Sequence, residues 1–200
     1  KSSGQEKEAE YYTVQEAIAA ANGEVVKLVA NVNENITVNQ DVTIDLEGHT
    51  LNKVTVAEGV SLKLIDSAAT YEGAAGTAVV SGHVACFTEA DGRNYLVVAQ
   101  DGVYSAHCYD VEITHVSLKP AKDALGYKAA LYGDETVQSH VQSFGFDLWV
   151  DGGKTMTYGK TGTNVVTLRL QNILAAKGGE MNINAAAFVT LAAEGETATK

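Results

Sequence analysis

Ile36-Thr37-Val38 followed by Val42-Thr43-Ile44-Asp45-Leu46 recurs as Val54-Thr55-Val56 followed by Val60-Ser61-Leu62-Lys63-Leu64, both parts displaced by 18 residues. A short and a long apolar segment repeated at one offset predicts strands stacked on their own copies, coil upon coil. Continued forward, the same offset reaches Ala78-Val79-Val80 and Leu96-Val97-Val98, which predicts four copies of the longer strand. Within each long strand apolar and polar residues alternate, so Val42, Ile44, Leu46, Val60, Leu62 and Leu64 are expected inside. Thr43, Asp45, Ser61 and Lys63 are then expected to face water. Stacking sets Asp45 beside Lys63, an opposite-charge pair favouring the register by about 0.2–1 kcal/mol.

The pattern describes a parallel β-helix. A flat sandwich also places strands every ~8–12 residues, but it has no reason to repeat a strand pair at a fixed offset. Coils of this length also suit left-handed helices built on hexapeptides, so spacing alone leaves the hand open.

Working outward, residues 1–10 (KSSGQEKEAE) are polar without apolar periodicity and read as a flexible lead. Thr13-Val14-Gln15-Glu16 has the spacing of a capping box, which predicts a helix start. Val14, Ala17, Ile18 and Ala21 form one apolar stripe, and Asn22-Gly23 is a suitable stop. Such a short helix needs an apolar surface to lie on. Val25, Val26, Leu28, Val29 and Val32 are expected to supply it as a first strand. Residues 67–76 are a small-residue loop, and Tyr104-Ser105-Ala106-His107-Cys108 is expected to end the stack.

From Tyr109 the register is lost, and longer alternating strands are expected at 111–118, 126–131, 141–150, 154–158, 165–173 and 181–191. The clearest unit is a hairpin of residues 144–150 and 154–158 around a three-residue loop, Asp151-Gly152-Gly153. Pairing Val150 with Lys154 sets Leu148 by Met156 and Phe146 by Tyr158 on an inner face. Val166, Leu168, Leu170, Ile183, Ala185, Ala187, Val189 and Leu191 supply matching inner stripes. Strands of this number and alternation predict an immunoglobulin-like β-sandwich. The reading is all-β, with a β-helix domain at 11–109 and a sandwich domain at 110–200.

With 25 acidic against 14 basic residues, the net charge of −11 disfavours nucleic acid and anionic membrane surfaces as partners. No apolar run reaches the ~18 residues of a membrane span. The chain begins at Lys1 with no signal-like segment, as expected of a processed form of something longer. Its two cysteines, Cys86 and Cys108, read as buried unpaired thiols, although an exported chain could bridge them.

Residues 17–51, AIAAANGEVVKLVANVNENITVNQDVTIDLEGHTL, carry a resemblance: an Ala-rich helix, a V-K-L strand, then V-T-I-D-L-x-G-H-T-L at 42–51. They resemble the opening coils of pectin-lyase-like, single-stranded right-handed β-helix modules in surface proteins of Gram-positive, notably gut-dwelling, bacteria. The resemblance implies a right-handed stack with the helix capping its start, and an extracellular or cell-surface address. It implies no activity, because the I-D-L-x-G-H-T-L run is a structural turn in those modules. The second half resembles the all-β modules that follow such coils.

Asp45, Glu47 and His49 are the most enzyme-like constellation, since i, i+2 and i+4 share one face of a strand. Gly48 and Thr50 break that strand, so the three read as a turn. His83, Cys86, His107 and Cys108 include the donor types of a zinc site. However, they lack its paired spacing, and neighbours in a strand point oppositely. Trp149, the single Trp, falls on an outer face with Asp147, Thr155 and Thr157. An aromatic beside hydroxyls and a carboxylate can stack on a sugar ring or anchor a protein, so these four are the candidate ligand contacts. Alternatively Trp149 packs against the first domain or a loop. Asn35-Ile36-Thr37 fits a glycosylation acceptor, and no phosphate loop, G-x-S-x-G or H-E-x-x-H is present.

The expected function is a non-catalytic cell-surface module with a structural, adhesive or glycan-binding role and no metal, cofactor or catalytic residues. Its expected partners are a glycan or a host or neighbouring surface protein. The alternative is a small polysaccharide-active β-helix enzyme, a lyase or hydrolase. Such enzymes need clustered carboxylates and a basic residue in a groove, and Arg93 and Arg169 are the only arginines.

Overall fold

A computed structural model describes residues 10–171, 181–193 and 196–199. Helix α1 (Val14–Ala20) begins where the capping residues predict, with the Thr13 hydroxyl accepting from the Glu16 amide at 3.2 Å. It ends at Asn22 and Gly23, both with positive φ. The strands that follow are β1 (Val25–Lys27), β2 (Ile36–Val38), β3 (Val42–Asp45), β4 (Thr50–Val56), β5 (Leu62–Ile65), β6 (Thr77–Ser81) and β7 (Val84–Ala85). They alternate between two parallel sheets, β1-β3-β5-β7 and β2-β4-β6. The result is a solenoid-like stack of about three turns.

The first offset holds, since Ile36 pairs with Val54. It holds in the other sheet too, where Val25 pairs with Thr43, but later offsets lengthen: Val42 pairs with Leu62 and Leu62 with Val84, while in the β2-β4-β6 sheet Leu51 pairs with Ala78. Three expectations are corrected by this drift. Thr43, not Asp45, lies beside Lys63. The loop at 67–76 displaces Ala78-Val79-Val80 onto β4, making it a copy of the short strand. Leu96-Val97-Val98 is not in the parallel stack at all but in an antiparallel hairpin. The first strand also stops at Lys27, leaving Val29 91% exposed, because Leu28 already turns into the core.

Ile18 on α1 is fully buried among the coil residues, and Ala21 joins it. Gln15 does something the apolar stripe did not predict. Its side-chain amide accepts from Thr37 N at 2.9 Å and donates to Thr37 O at 3.0 Å, as the next strand would on the outer edge of β2. An open edge is an aggregation hazard, and a glutamine satisfies one residue of it. Gln15→Ala is expected to cost only ~1 kcal/mol in a denaturant titration, since both bonds are exposed.

After the coils come β8 (Phe87–Ala90), β9 (Arg93–Gln100) and the 17-residue β10 (Val103–Lys119). Next are β11 (Ala124–Tyr132), helix α2 (Glu135–Ser139), β12 (Val141–Val150), β13 (Gly153–Lys160), β14 (Val165–Gln171), β15 (Ile183–Ala193) and β16 (Glu196–Thr199). Strand β10 runs unbroken through residues 109 and 110. Its start pairs with β6 and β9, and its later part with β11. The coil sheet therefore continues into the second half in the order β14-β11-β10-β6-β4-β2, while β13-β12-β15-β16 forms a separate antiparallel sheet.

Alternation along β9 and β10 gives this hairpin two buried faces. Tyr95, Val97, Ala106 and Cys108 enter the coil core. Leu96 and Tyr109 enter a second core with Tyr127, Phe144, Phe146, Leu168 and Leu191. The sequence marks this as a run without polar alternation, Tyr95-Leu96-Val97-Val98, which is the signature of a strand covered on both sides. Tyr71, in the loop at 67–76, adds a contact between the halves with its ring 5.6 Å from that of Tyr132.

The predicted strands of the second half all appear, apart from residues 172–173, which lie outside the described residues, as do residues 1–9. The hairpin is tighter than expected. Val150 pairs with Gly153 across two positive-φ residues, Asp151 and Gly152, the conformation a two-residue hairpin turn requires. A register shift after Leu148 restores the predicted pairs, Leu148 with Met156 and Phe146 with Tyr158. Met156 is nonetheless 36% exposed, because β13 is the edge of its sheet. In the same sheet Gly145 faces both Gly159 and Phe188, and a Cβ at Gly145 would strike the Tyr158 carbonyl oxygen. Glycine there lets adjacent backbones approach more closely than any side chain would allow.

Candidate functional site

Four groups of polar side chains compete for a functional role. The first is the coil corner. Asp45, expected at the surface, is 1% exposed, and Asp66 is fully buried. Asp45 Oδ1 accepts from the amides of Glu47 (3.0 Å) and Ser67 (2.9 Å). Asp66 accepts from Gly48 through Oδ1 (2.9 Å) and from Ala75 (2.9 Å) and Gly76 (2.5 Å) through Oδ2. The two brace adjacent coils reciprocally: one takes an amide from the coil above, the other from the coil below. Each chain reversal leaves backbone N–H groups without strand partners, and a buried carboxylate is the acceptor that satisfies several at once. Glu47, at φ 47°, and Gly48, at φ 78°, form the turn, which the His49 amide closes on Leu46 O at 2.7 Å. Glu47 Oε2 accepts from the Ser67 hydroxyl at 2.7 Å. Asp45, Glu47 and His49 are thus parts of a corner.

The second group is the predicted ligand contact. Phe144, Phe146 and Leu148 point into the second core, so alternation places Asp147 and Trp149 on the outer face of β12. The Thr157 hydroxyl donates to Asp147 Oδ1 at 2.6 Å, and Trp149 is half-buried two residues further along. The register shift makes Lys154, not Thr155, the partner of Trp149. Thr155 is the extra residue of the bulge, and its side chain lies outside the described residues.

The third group carries the donor types of a zinc site. His83 is exposed and Cys86 half-buried, while His107 and Cys108 are buried on opposite faces of β10. Both cysteines are reduced thiols. Burial pushes the Cys108 thiol up from its ordinary value, against the pull of Arg93, so the sulfur is held protonated. Burial also pushes the Tyr95 hydroxyl up to about 12, with Arg93 opposing. Arg93 itself donates to the carbonyls of Ser67 (2.9 Å) and Ala69 (2.6 Å), tying the loop at 67–76 to β9. Among the described residues, no three His, Cys, Asp or Glu side chains converge on a metal position.

The fourth group went unnoticed in the sequence. His107 Nδ1 lies 2.5 Å from Asp134 Oδ2, and its Nε2 lies 2.7 Å from the Ser105 hydroxyl. Ser105 and His107 share a face of β10 because they are two apart. Asp134 follows the end of β11 and caps α2, its Oδ1 accepting from Val137 N at 2.9 Å. The side chains of His107 and Asp134 are each about 10% exposed, whereas Ser105 is half-buried. Ser-x-His on a strand was a readable signal for half of this group. Asp134 was not, because only the fold brings it to β10.

A shallow groove crosses the outer face of β2, β4 and β6, floored by Asn35, Thr37, Lys53, Thr55, Val79 and Ser81. No helix among the described residues is long and apolar enough to cross a membrane. No protein-family model matches the chain, and searches of the curated proteins and of the solved structures return no match for it.

Proposed function

We propose that this chain is a cell-surface or secreted module whose work is structural, adhesive or glycan-binding, without turnover of polysaccharide. In this reading the coils are a right-handed, pectin-lyase-like β-helix capped by α1, of the kind found in surface proteins of Gram-positive bacteria. The second half is an immunoglobulin-like sandwich. Its strand order supports the latter: β10, β11 and β14 lie on one sheet, and β12, β13, β15 and β16 on the other, a crossing between sheets characteristic of Greek-key sandwiches.

One observation carries the proposal. The β9–β10 hairpin is buried on both faces and contributes residues to both cores, which is the property a load-bearing spacer or rigid presenting arm requires. The acidic surface accords with it, since net charge of this size keeps a projecting module soluble. The polysaccharide-active alternative loses its chemistry at the corner. Asp45 and Asp66 are occupied by backbone amides, and the groove floor offers hydroxyls, an amide and Lys53 in place of paired carboxylates.

A glycan array paired with a turnover assay on neutral and anionic polysaccharides tests the proposal. The expected result is binding that falls at least about 10-fold in Trp149→Ala, the loss of one aromatic hot spot, with no release of reducing or unsaturated ends. Release of such ends above background would overturn it.

A further inference from the structure

The hydrogen-bonded row Asp134, His107, Ser105 has no part in that reading. Its polarity follows from elementary chemistry. An ionised carboxylate only accepts, so the proton between Asp134 and His107 sits on Nδ1. With the ring neutral, Nε2 offers its lone pair and the Ser105 hydroxyl is the donor. A base is therefore already engaged with the serine proton, and the base is held in one tautomer by a buried carboxylate. That carboxylate is fixed in turn by the α2 amide at Val137. Nucleophile, base and orienting group stand in the order and at the spacings that activate a hydroxyl for attack on a carbonyl. The burial gradient has the required sense. The two groups that hold and stabilise charge are dry, and the group that would meet a substrate is the more accessible one.

We infer that Ser105 is a nucleophilic serine that transfers acyl groups from carboxylic esters to water. Ser105 Oγ attacks the ester carbonyl carbon while its proton passes to His107 Nε2. The C–O bond to the alcohol breaks, and His107 returns that proton to the departing oxygen. An acyl-Ser105 ester remains. Water then attacks this ester with His107 again taking the proton, the acid leaves and the serine is restored. Ester and water give acid and alcohol, with no other reactant. Two aliphatic residues stand opposite the pair on β9. Val98 is the register partner of Ser105, and Leu96 that of His107.

The inference goes beyond the surface-module reading, which rests on the shared hairpin and on Trp149, and its failure would leave that reading standing. The intact chain is treated with a fluorophosphonate probe, the adduct is mapped by mass spectrometry, and p-nitrophenyl acetate hydrolysis is followed in parallel. The expected result is one adduct, on Ser105, absent from Ser105→Ala and from the wild-type chain unfolded in urea. Labelling and hydrolysis should fall about 10²-fold or more in His107→Gln, as loss of a general base requires. A row with a purely structural role would not label. Absence of the adduct from the folded wild type, or equal labelling of the urea-unfolded chain, would overturn the inference without recourse to any variant.

Discussion

Asp66→Ala is expected to lower the unfolding free energy by about 3–5 kcal/mol in a urea titration, because it strands three backbone N–H groups at once, each costing about 1–3 kcal/mol when left unpaired. Two of the three, on Ala75 and Gly76, hold the end of the loop at 67–76, and the third, on Gly48, belongs to the coil before. The chain is close-packed beside these amides. A Cβ at Gly76 would lie 2.7 Å from His49 O and 2.8 Å from Leu46 Cβ. Asp66→Asn keeps one acceptor oxygen and turns an NH2 group toward the remaining donors, so its loss should fall between alanine and wild type. A loss below about 1 kcal/mol in Asp66→Ala, the worth of a single ordinary hydrogen bond, would show that the coils do not depend on this brace.

Leu64→Ala should be felt far from where it is made. Leu64 is fully buried in the coil core, and its truncation is expected to cost about 2–5 kcal/mol. Trp149, the single tryptophan, sits on β12 in the other half and reports unfolding there. If the β9–β10 hairpin joins the cores, both halves unfold in one transition. The fluorescence midpoint in urea should then move with the far-UV circular dichroism midpoint, and by the same amount. A Trp149 transition that stays in place while the circular dichroism signal splits would mean two independent units, and the rigid-arm proposal would lose its main support.

The sequence reveals local chemistry better than long-range register. Thr13, Asn22 and Gly23 mark the helix because capping and positive φ are decided within a few residues. The inner stripes of β12, β14 and β15 are legible because period-two alternation survives whatever the strand pairs with. The stack was legible only where the offset still holds, as for Ile36 on Val54. Beyond it, coil length depends on the corners, and no local signal says that Asp45 and Asp66 turn inward to serve them. Their burial contradicts strand alternation because the corner amides of both coils need an acceptor more than the surface needs a charge. The same limit hid the row at Ser105. Ser105 and His107 are neighbours on one strand, whereas Asp134 reaches them only through the pairing of β10 with β11. Trp149 on an outer face followed from parity, but its neighbour did not, because a bulge at the hairpin exchanged Thr155 for Lys154.

The coils that lengthen along the chain give the stack a direction. A solenoid with identical rungs can, in principle, be continued at either end by another copy of itself, since the exposed rung is a template for its own repeat. Along the β1-β3-β5-β7 sheet the first and last offsets differ by four residues, 18 from Val25 to Thr43 against 22 from Leu62 to Val84, roughly 13 Å of extended chain at about 3.3 Å each. A second molecule placed head to tail could not carry both parallel sheets onward without looping out that surplus. Growth into a fibre is thereby discouraged by arithmetic within the repeat itself, in addition to the glutamine at one edge and the antiparallel hairpin at the other.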